Sequence, residues 1–377
     1  MSAGAVSPPV PFLDLGREYQ EVAGELEPAV LEVLRSQRYV LGPAAEQFEA
    51  EVARHVGVEH ALGVSSGSDA LMLALVALDV GPGDEVVTSP FTFFSTASAI
   101  VRLGASPIFV DIGPDDFLID PAGLESVLND RTRAILPVHL YGQCVDFGAF
   151  DRVARRRRIA LVEDAAQAMG ARRGGFSAGA HGDLGCFSFY PTKNLAACGE
   201  AGLVTTNDDH LAARVRLLRD HGSERRYEHR ELGWNARLDG IQAAALSVKL
   251  RHLDDWNRRR ARLAGRYDEL LGEAGLDGTV RRPAVASDAT HVFHQYALRV
   301  PRRDDLQAHL TQRGVGTAVH YPTPVHLQPV FESLGYGRGD LPEAERAAAE
   351  VLCLPVYPQL REDEQDRVVA EIAAFYR

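Results

Sequence analysis

Cysteine is scarce in this sequence. The 377 residues carry four, at Cys144, Cys186, Cys198 and Cys353. Their scatter gives no metal-ligand spacing, so no metal site is expected. Free thiols of this kind fit a reducing, cytoplasmic setting. Long apolar runs are also missing. The longest, residues 70–78, is too short to span a bilayer and reads as a buried helix, so no membrane partner is expected. There is no surplus of positive charge: 40 Lys and Arg stand against 52 Asp and Glu, a formal net charge of −12. Nucleic-acid binding needs cations to displace counterions, so that class of partner is not expected. The one basic run, residues 155–158, precedes a strand-like stretch and reads as a solvated helix end. The opening "MSAGAVSPPVPF" lacks a charged segment ahead of an apolar one; it reads as a flexible arm and not as a signal peptide. Internal repeats and low-complexity tracts are absent from the sequence.

What is present is alternation. From about residue 60 to 210, short apolar runs ("HALGV", "DEVVTS", "PIFVDI", "RAILPVHL", "RIALVEDA", "GLVTTND") alternate with helical patterns. Strands separated by helices imply crossover units and a mostly parallel sheet with helices on both faces, an α/β fold. Ligands on such sheets sit at the carboxyl ends of strands. After Arg237 a long amphipathic helix is expected, with Leu238, Ile241, Leu250 and Leu253 on its apolar face. Beyond it, "TVRRPAVASDATHVFHQYALRV" reads strand-like and "RDDLQAHLTQRGV" helical, and a last helix ends the chain. The expected division is an arm over residues 1–15, a large domain over 16–250 and a smaller C-terminal α+β domain over 251–377.

Four features carry chemistry. In "SSGSDAL", residues 65–71, a strand end, a Gly-containing turn and a helix start point backbone amides and the positive helix end at one place, which suits a phosphate. The blander alternative is a helix capped by Ser66 or Ser68. In "IALVEDAAQAMGA", Asp164 falls at the carboxyl end of a buried strand, where a carboxylate needs a cation or strong donors. A structural ion pair is the alternative. Gln167 lies three residues on. Phe93, in "SPFTFFSTAS", either lies over a planar ring or fills core. Lys193, in "FSFYPTKNLAACGEAG", sits on an Ala- and Gly-rich loop expected to be flexible. Taken alone it reads as a surface charge. Together, a phosphate cradle, a buried acid, a ring-facing aromatic and a lysine are what a phosphorylated pyridine aldehyde needs. The lysine forms a Schiff base, and the acid keeps the ring nitrogen protonated so that the ring accepts electrons.

The sequence resembles the DegT/DnrJ/EryC1/StrS group of fold-type I pyridoxal-phosphate enzymes, the sugar aminotransferases. The resemblance covers nearly the whole chain and rests on "SSGSDAL", "VEDAAQAMGA", "FSFYPTKNL", "GWNARLDGIQAA" and "HYPTPVHL" in the family's order. It implies that Lys193 holds pyridoxal 5'-phosphate and shuttles the proton. Asp164 would pair with the pyridinium nitrogen, Gln167 contact the ring hydroxyl and Phe93 stack on the ring. Gly67, Ser68 and Ser188 would bind the phosphate. In the family an Asn from the neighbouring subunit completes that site; the matching residue is Asn235, so a homodimer with shared active sites is expected. The matching substrate positions are Arg237, His320 and Tyr321, with His326 a further candidate. Arg237 would clamp a carboxylate, or else form a structural ion pair with Asp239. Most of the thirteen histidines read as surface or packing residues.

The implied reaction is ping-pong transamination for amino-sugar biosynthesis. L-Glutamate leaves as 2-oxoglutarate, and a nucleotide-linked keto sugar leaves as the amino sugar. "LPVHLYGQCVD", "HGSERRYEH" and "VHYPTPVHL" resemble members acting at C3 of 3-keto sugars, of deoxysugar or uronic acid type. C4 amination of a 4-keto-6-deoxy sugar is the alternative. A dehydratase of the same fold would carry His at position 193. Aminodehydroquinate-type and aminobenzoate-forming relatives usually carry His at 167. From a different class, a cofactor-binding regulator without turnover remains open. Two departures from the common pattern stand out: Ser68 where Thr is frequent, and Glu200 where Asp is frequent.

Overall fold

The computed structural model describes residues 8–377. The first seven residues of the expected arm lie outside that range. Of the arm's remainder, Val10 is buried and bridges Val315. Helix α1 (Leu15–Ser36) then begins behind an Asp14 cap that accepts from Arg17 N. It leads to α2 (Pro43–Val56).

The central sheet has seven strands: β1 (His60–Val64), β2 (Glu85–Thr88), β3 (Ser106–Phe109), β4 (Thr132–Leu136), β5 (Ala160–Asp164), β6 (Leu184–Ser188) and β7 (Gly202–Thr206). Their order is β1-β7-β6-β5-β4-β2-β3. The pairs β2–β3, β2–β4, β4–β5 and β5–β6 are parallel. β7 runs antiparallel between β1 and β6, so β1 and β6 point the same way. The carboxyl ends of β1, β2, β4, β5 and β6 therefore share one edge of the sheet, and β7 brings its amino end, Gly202, to that edge. The strands read as near-continuous apolar runs because helices cover both faces.

Between the strands lie α3 (Gly67–Ala77), α4 (Phe94–Arg102), α5 (Phe147–Arg157) and α6 (Asp209–Leu218). The run at 70–78 is the buried helix its composition suggests: Ala70 through Leu75 are all buried in α3. Arg155 to Arg157 close the last turn of α5, where cations face the negative helix end.

Helix α7 (Gly240–Glu273) is 34 residues long, with Asp239 capping Gln242 N at 2.9 Å. It runs unbroken across residue 250, where the boundary between domains was expected. Its first half is buried on most sides and not on one stripe alone: Ala245, Leu246, Ser247, Val248 and Lys249 are all buried. α1 and α2 both pack against it, and the buried Lys249 Nζ meets Glu18 of α1 at 2.7 Å.

Past α7 lie strand β8 (Tyr296–Arg299), α8 (Arg303–Gln312), α9 (Pro342–Glu350), β9 (Val351–Leu354) and α10 (Glu362–Tyr376). β8 and β9 pair antiparallel. Most of the stretch expected as strand before β8 is irregular instead. It crosses the mouth of the sheet, with Val292 N donating to Gly142 O and Gln295 N to Tyr141 O. Arg17 on α1 grips Glu364 on α10 through two bonds of 2.7 and 2.8 Å, tying the C-terminal part back to α1. Among the described residues no helix is long and apolar enough to cross a membrane, and no group of three or more His, Cys, Asp or Glu is placed to hold a metal ion.

Candidate active site

A cavity of about 530 Å³ opens at the shared edge of carboxyl ends. Nine of the twelve candidate site residues line it, namely Gly67, Ser68, Phe93, Asp164, Gln167, Ser188, Lys193, His320 and Tyr321, and so does Glu200.

Each arrives for a local reason. Ser66 caps α3 by accepting from Asp69 N at 3.1 Å, and Asp69 accepts in turn from the Ser66 hydroxyl at 2.8 Å. The capped-helix reading is thus correct for Ser66. Ser68 is left over from the cap, and its hydroxyl meets Ser95 Oγ at 2.7 Å on the cavity wall. Gly67 passes so close to β6 that a Cβ there would lie 2.6 Å from Ser188 Cβ. A Cβ at Gly202 would meet the Ser66 carbonyl carbon at 2.3 Å. These glycines keep the turn's amides uncovered, as a phosphate cradle requires.

Asp164 ends β5 and is buried, accepting from Thr96 Oγ1 at 2.8 Å and from Ala166 N at 3.2 Å. Burial pushes its carboxyl above the usual range, against the pull of those donors and of Lys193. No structural salt bridge to a cation is formed there. Gln167 has its carboxamide fixed, accepting from Tyr141 N at 2.7 Å and donating to Tyr321 Oη at 3.2 Å. Phe93 is 55% exposed, so it does not fill core. It precedes α4, and its ring stands 6.1 Å from that of Tyr321.

The loop around Lys193 is anchored, contrary to the flexible loop its composition suggests. Lys193 N donates to Tyr190 O and Ala197 N to Phe189 O, both at 2.8 Å. Asn194 Nδ2 donates to Asn257 Oδ1 at 2.8 Å and to Val292 O at 3.0 Å. Leu195, Ala196 and Ala197 are buried, so the alanines serve close packing here. Lys193 is partly uncovered because it faces the cavity. The protein around it still desolvates its ammonium and pulls the pKa down to about 8, with Asp164 opposing.

Three sequence candidates lie outside the cavity lining. Asn235 is exposed, and its Oδ1 accepts from Arg237 Nη2 at 2.6 Å. Arg237 Nη1 donates to Asp220 Oδ1 at 2.7 Å. Its ion-pair partner is therefore Asp220 and not Asp239, which is occupied as the α7 cap. His326 is fully buried beside the rings of Phe109 and Tyr336, 3.5 Å from Glu345.

Sequence reasoning missed Thr92, Thr96, His294 and Gln295, all on the cavity wall. "FTFFSTAS" held a signal for the first two: hydroxyls four apart at a helix start share one face. The irregular run before β8 held none for His294 and Gln295. His294 is buried and pushed well below the usual histidine range by desolvation, then by Lys193. His320 is lowered for the same two reasons. Both are kept neutral, as hydrogen-bonding groups and not cations.

The donor set fits pyridoxal phosphate: bare amides and hydroxyls at Gly67, Ser68 and Ser188, a buried acid with few donors, an exposed aromatic face and a lysine with a lowered pKa. Gly67→Ala tests the cradle. Overpacking of this kind costs about 1–3 kcal/mol. The variant is expected to fold with a lowered melting temperature and to bind the cofactor on the order of tenfold more weakly; an unchanged dissociation constant would contradict the cradle.

The chain matches the DegT/DnrJ/EryC1/StrS aminotransferase family over residues 20–373. It is 50% identical to a pleiotropic regulatory protein of Geobacillus stearothermophilus, over 98% of this chain and 99% of that protein. It is 46% identical to the dTDP-3-amino-3,4,6-trideoxy-alpha-D-glucose transaminase of Streptomyces venezuelae, over 98% and 97%. Among solved structures, that of S. venezuelae DesV in complex with a ketimine intermediate has a TM-score of 0.94 at 45% identity, with 98% and 99% of the two chains covered. A match spanning nearly the full length, on a cavity fitted to this cofactor, means that the chain belongs to the DegT/DnrJ/EryC1/StrS aminotransferase family and is a pyridoxal-phosphate-dependent aminotransferase.

Proposed function

We propose that the protein moves an amino group from L-glutamate to C3 of a nucleotide-linked 3-keto sugar, within a homodimer whose subunits share their active sites. The observation that carries the reading is the convergence of Lys193 and Asp164, two oppositely shifted titratable groups, on one cavity. The sugar class follows from the named activity of the S. venezuelae transaminase.

When bound, pyridoxal phosphate supplies an electron-poor ring that takes up the electron pair left as a carbon–hydrogen bond breaks. The chain's own residues do the rest. Lys193 Nζ would hold the cofactor and, as a free amine, would carry the transferred proton. Its lowered pKa supplies a neutral amine near pH 8. Asp164 would keep the ring nitrogen protonated through its charge. Gly67, Ser68 and Ser188 would receive the phosphate, Phe93 would cover the ring face and Gln167 would meet the ring hydroxyl. Neutral His320 and Tyr321 offer hydrogen bonds to the sugar.

Asn235 and Arg237 lie outside their own chain's cavity, and in this reading they serve the partner's. Exposed Leu31, Leu34, Tyr39 and Val40 at the end of α1 and just beyond it provide apolar surface for that contact. Complementation tests the sharing. Lys193→Ala and Asn235→Ala subunits, each impaired alone, are unfolded and refolded together. Shared sites predict one intact site per heterodimer, and roughly a quarter of wild-type activity for random pairing. No recovery on mixing would contradict the sharing.

A second reading is amination at C4 of a 4-keto-6-deoxy nucleotide sugar. A panel experiment separates the readings. Protein charged with an amino group by glutamate is given 3-keto and 4-keto nucleotide sugars, and products are followed by mass. Amination of a 3-keto sugar supports the proposal. Amination confined to 4-keto sugars moves the position to C4, and no aminated sugar of either kind contradicts a keto-sugar acceptor.

A further inference from the structure

Two carboxylates stand side by side at the end of β5, and the structure treats them in opposite ways. Strand alternation sends Glu163 and Asp164 to opposite faces. Glu163 is wholly buried and receives four donors: His139 Nε2 at 2.7 Å, Gly179 N at 2.8 Å, His181 N at 2.8 Å and Gly182 N at 2.7 Å. Those donors hold its carboxyl below the usual range despite burial. Asp164 receives two, Thr96 Oγ1 on Oδ2 and Ala166 N on Oδ1. Only one of them comes from a side chain.

Thr96 sits in the first turn of α4 and is fully buried. Its hydroxyl also lies 2.8 Å from Thr92 Oγ1, four residues earlier and likewise buried. A hydroxyl has one proton to give. An ionised carboxylate can only accept, so Thr96 donates to Asp164 and accepts from Thr92. The order Thr92 to Thr96 to Asp164 is thereby fixed. Thr92 and Thr96 both line the cavity beside Asp164.

We propose that Thr96, oriented by Thr92, is a positioning residue for Asp164: its hydroxyl favours the ionised carboxylate and leaves the remaining lone pairs free for the cofactor's ring nitrogen. The proposal rests on the assignment of Asp164 to that nitrogen. The other groups that bear on Asp164 do not replace the hydroxyl. Lys193, on the cavity wall, and His139, bonded to Glu163, favour its charge, and the buried Cys186 and half-buried Tyr321 carry no charge to offset it. Two donors on a carboxylate with about four acceptor positions leave room for one more N–H. Four donors would have left a structural ion like Glu163.

The test uses Thr96→Val, which keeps shape and removes the hydroxyl, and Thr96→Ser, which keeps the hydroxyl. Apoprotein is titrated with pyridoxal phosphate from pH 5 to 9 to obtain the dissociation constant, and the holoenzyme's kcat is measured over the same range. Loss of one charge-assisted hydrogen bond raises a carboxyl pKa by about one unit. In Thr96→Val the acid limb of both profiles is therefore expected to move up by about one pH unit, with affinity near pH 6 lowered about tenfold. Thr96→Ser should restore both limbs. Profiles of Thr96→Val that match wild type, or a serine variant as shifted as valine, overturn the proposal. Asp164→Asn run alongside separates the two levels. If it is impaired and Thr96→Val is not, only the role of Thr96 falls. If it binds and turns over like wild type, the assignment of Asp164 falls and the proposal with it. Should Thr96→Val fail to fold, Thr92→Val carries the test with a smaller shift of the same sign, and no shift overturns it.

Discussion

A Lys193→Ala variant is expected to lose amino transfer on the order of 10⁴-fold and to bind pyridoxal phosphate without a covalent link. Positioned proton transfer alone contributes about 10²–10⁴-fold, and the same amine also anchors the cofactor. No other lysine lines the cavity, so nothing nearby can take its place. With a pKa of about 8, roughly a tenth of the amine is neutral at pH 7; an ordinary lysine would offer about one part in 3,000. The Lys193 loop is anchored through Asn194, so the substitution should leave the fold intact. Borohydride reduction followed by mass measurement of the intact chain checks the link. Wild-type protein should gain the mass of one cofactor less a water plus two hydrogens, and the variant none. A variant that kept the adduct or full turnover would contradict the assignment.

Asp164→Asn is expected to lower kcat by about 10²–10³-fold, the scale seen when one preorganised charge-stabilising group is removed. The apoprotein should not lose stability with it. Burial raises the carboxyl pKa of Asp164 in the folded chain. A raised carboxyl favours the protonated form in the folded state. Ionisation therefore costs stability above the folded pKa, and that cost vanishes below the ordinary carboxylate range. The asparagine variant escapes it. Apo Asp164→Asn should be as stable as wild type near pH 3 and equally or more stable at pH 7. Denaturant unfolding at the two pH values checks the sign. Marked destabilisation at pH 7 alone would mean that the ionised carboxylate stabilises the apoprotein, contrary to this account.

The parts that were legible in the sequence are those whose chemistry is local. "SSGSDAL" announces a strand, a turn and a helix start within seven residues. Asp164 is conspicuous because an acid at the end of an apolar strand needs a reason. Lys193 gains meaning only beside them. What stayed hidden depends on contacts between distant segments. His294 and Gln295 reach the cavity because an irregular run crosses the sheet edge, held by the carbonyls of Gly142 and Tyr141. No periodicity marks such a run. Arg237 pairs with Asp220 because Asp239 is needed as a helix cap, a competition visible only once α7 is placed. His326 shares a motif with His320 and Tyr321, yet a 3-10 turn at Val325–Leu327 carries it into the core beside Phe109 and Tyr336. The long helix expected after Arg237 is α7, which continues across residue 250. The Ala-rich loop misled because small residues permit close packing as readily as mobility.

The most direct measurement is the first half-reaction. Holoenzyme is mixed with L-glutamate in the absence of any sugar, and both the long-wavelength absorbance of the bound cofactor and free 2-oxoglutarate are followed. The account predicts loss of that absorbance with one 2-oxoglutarate released per active site, and no change in Lys193→Ala. An unchanged spectrum with glutamate and with every other amino donor tried would contradict it.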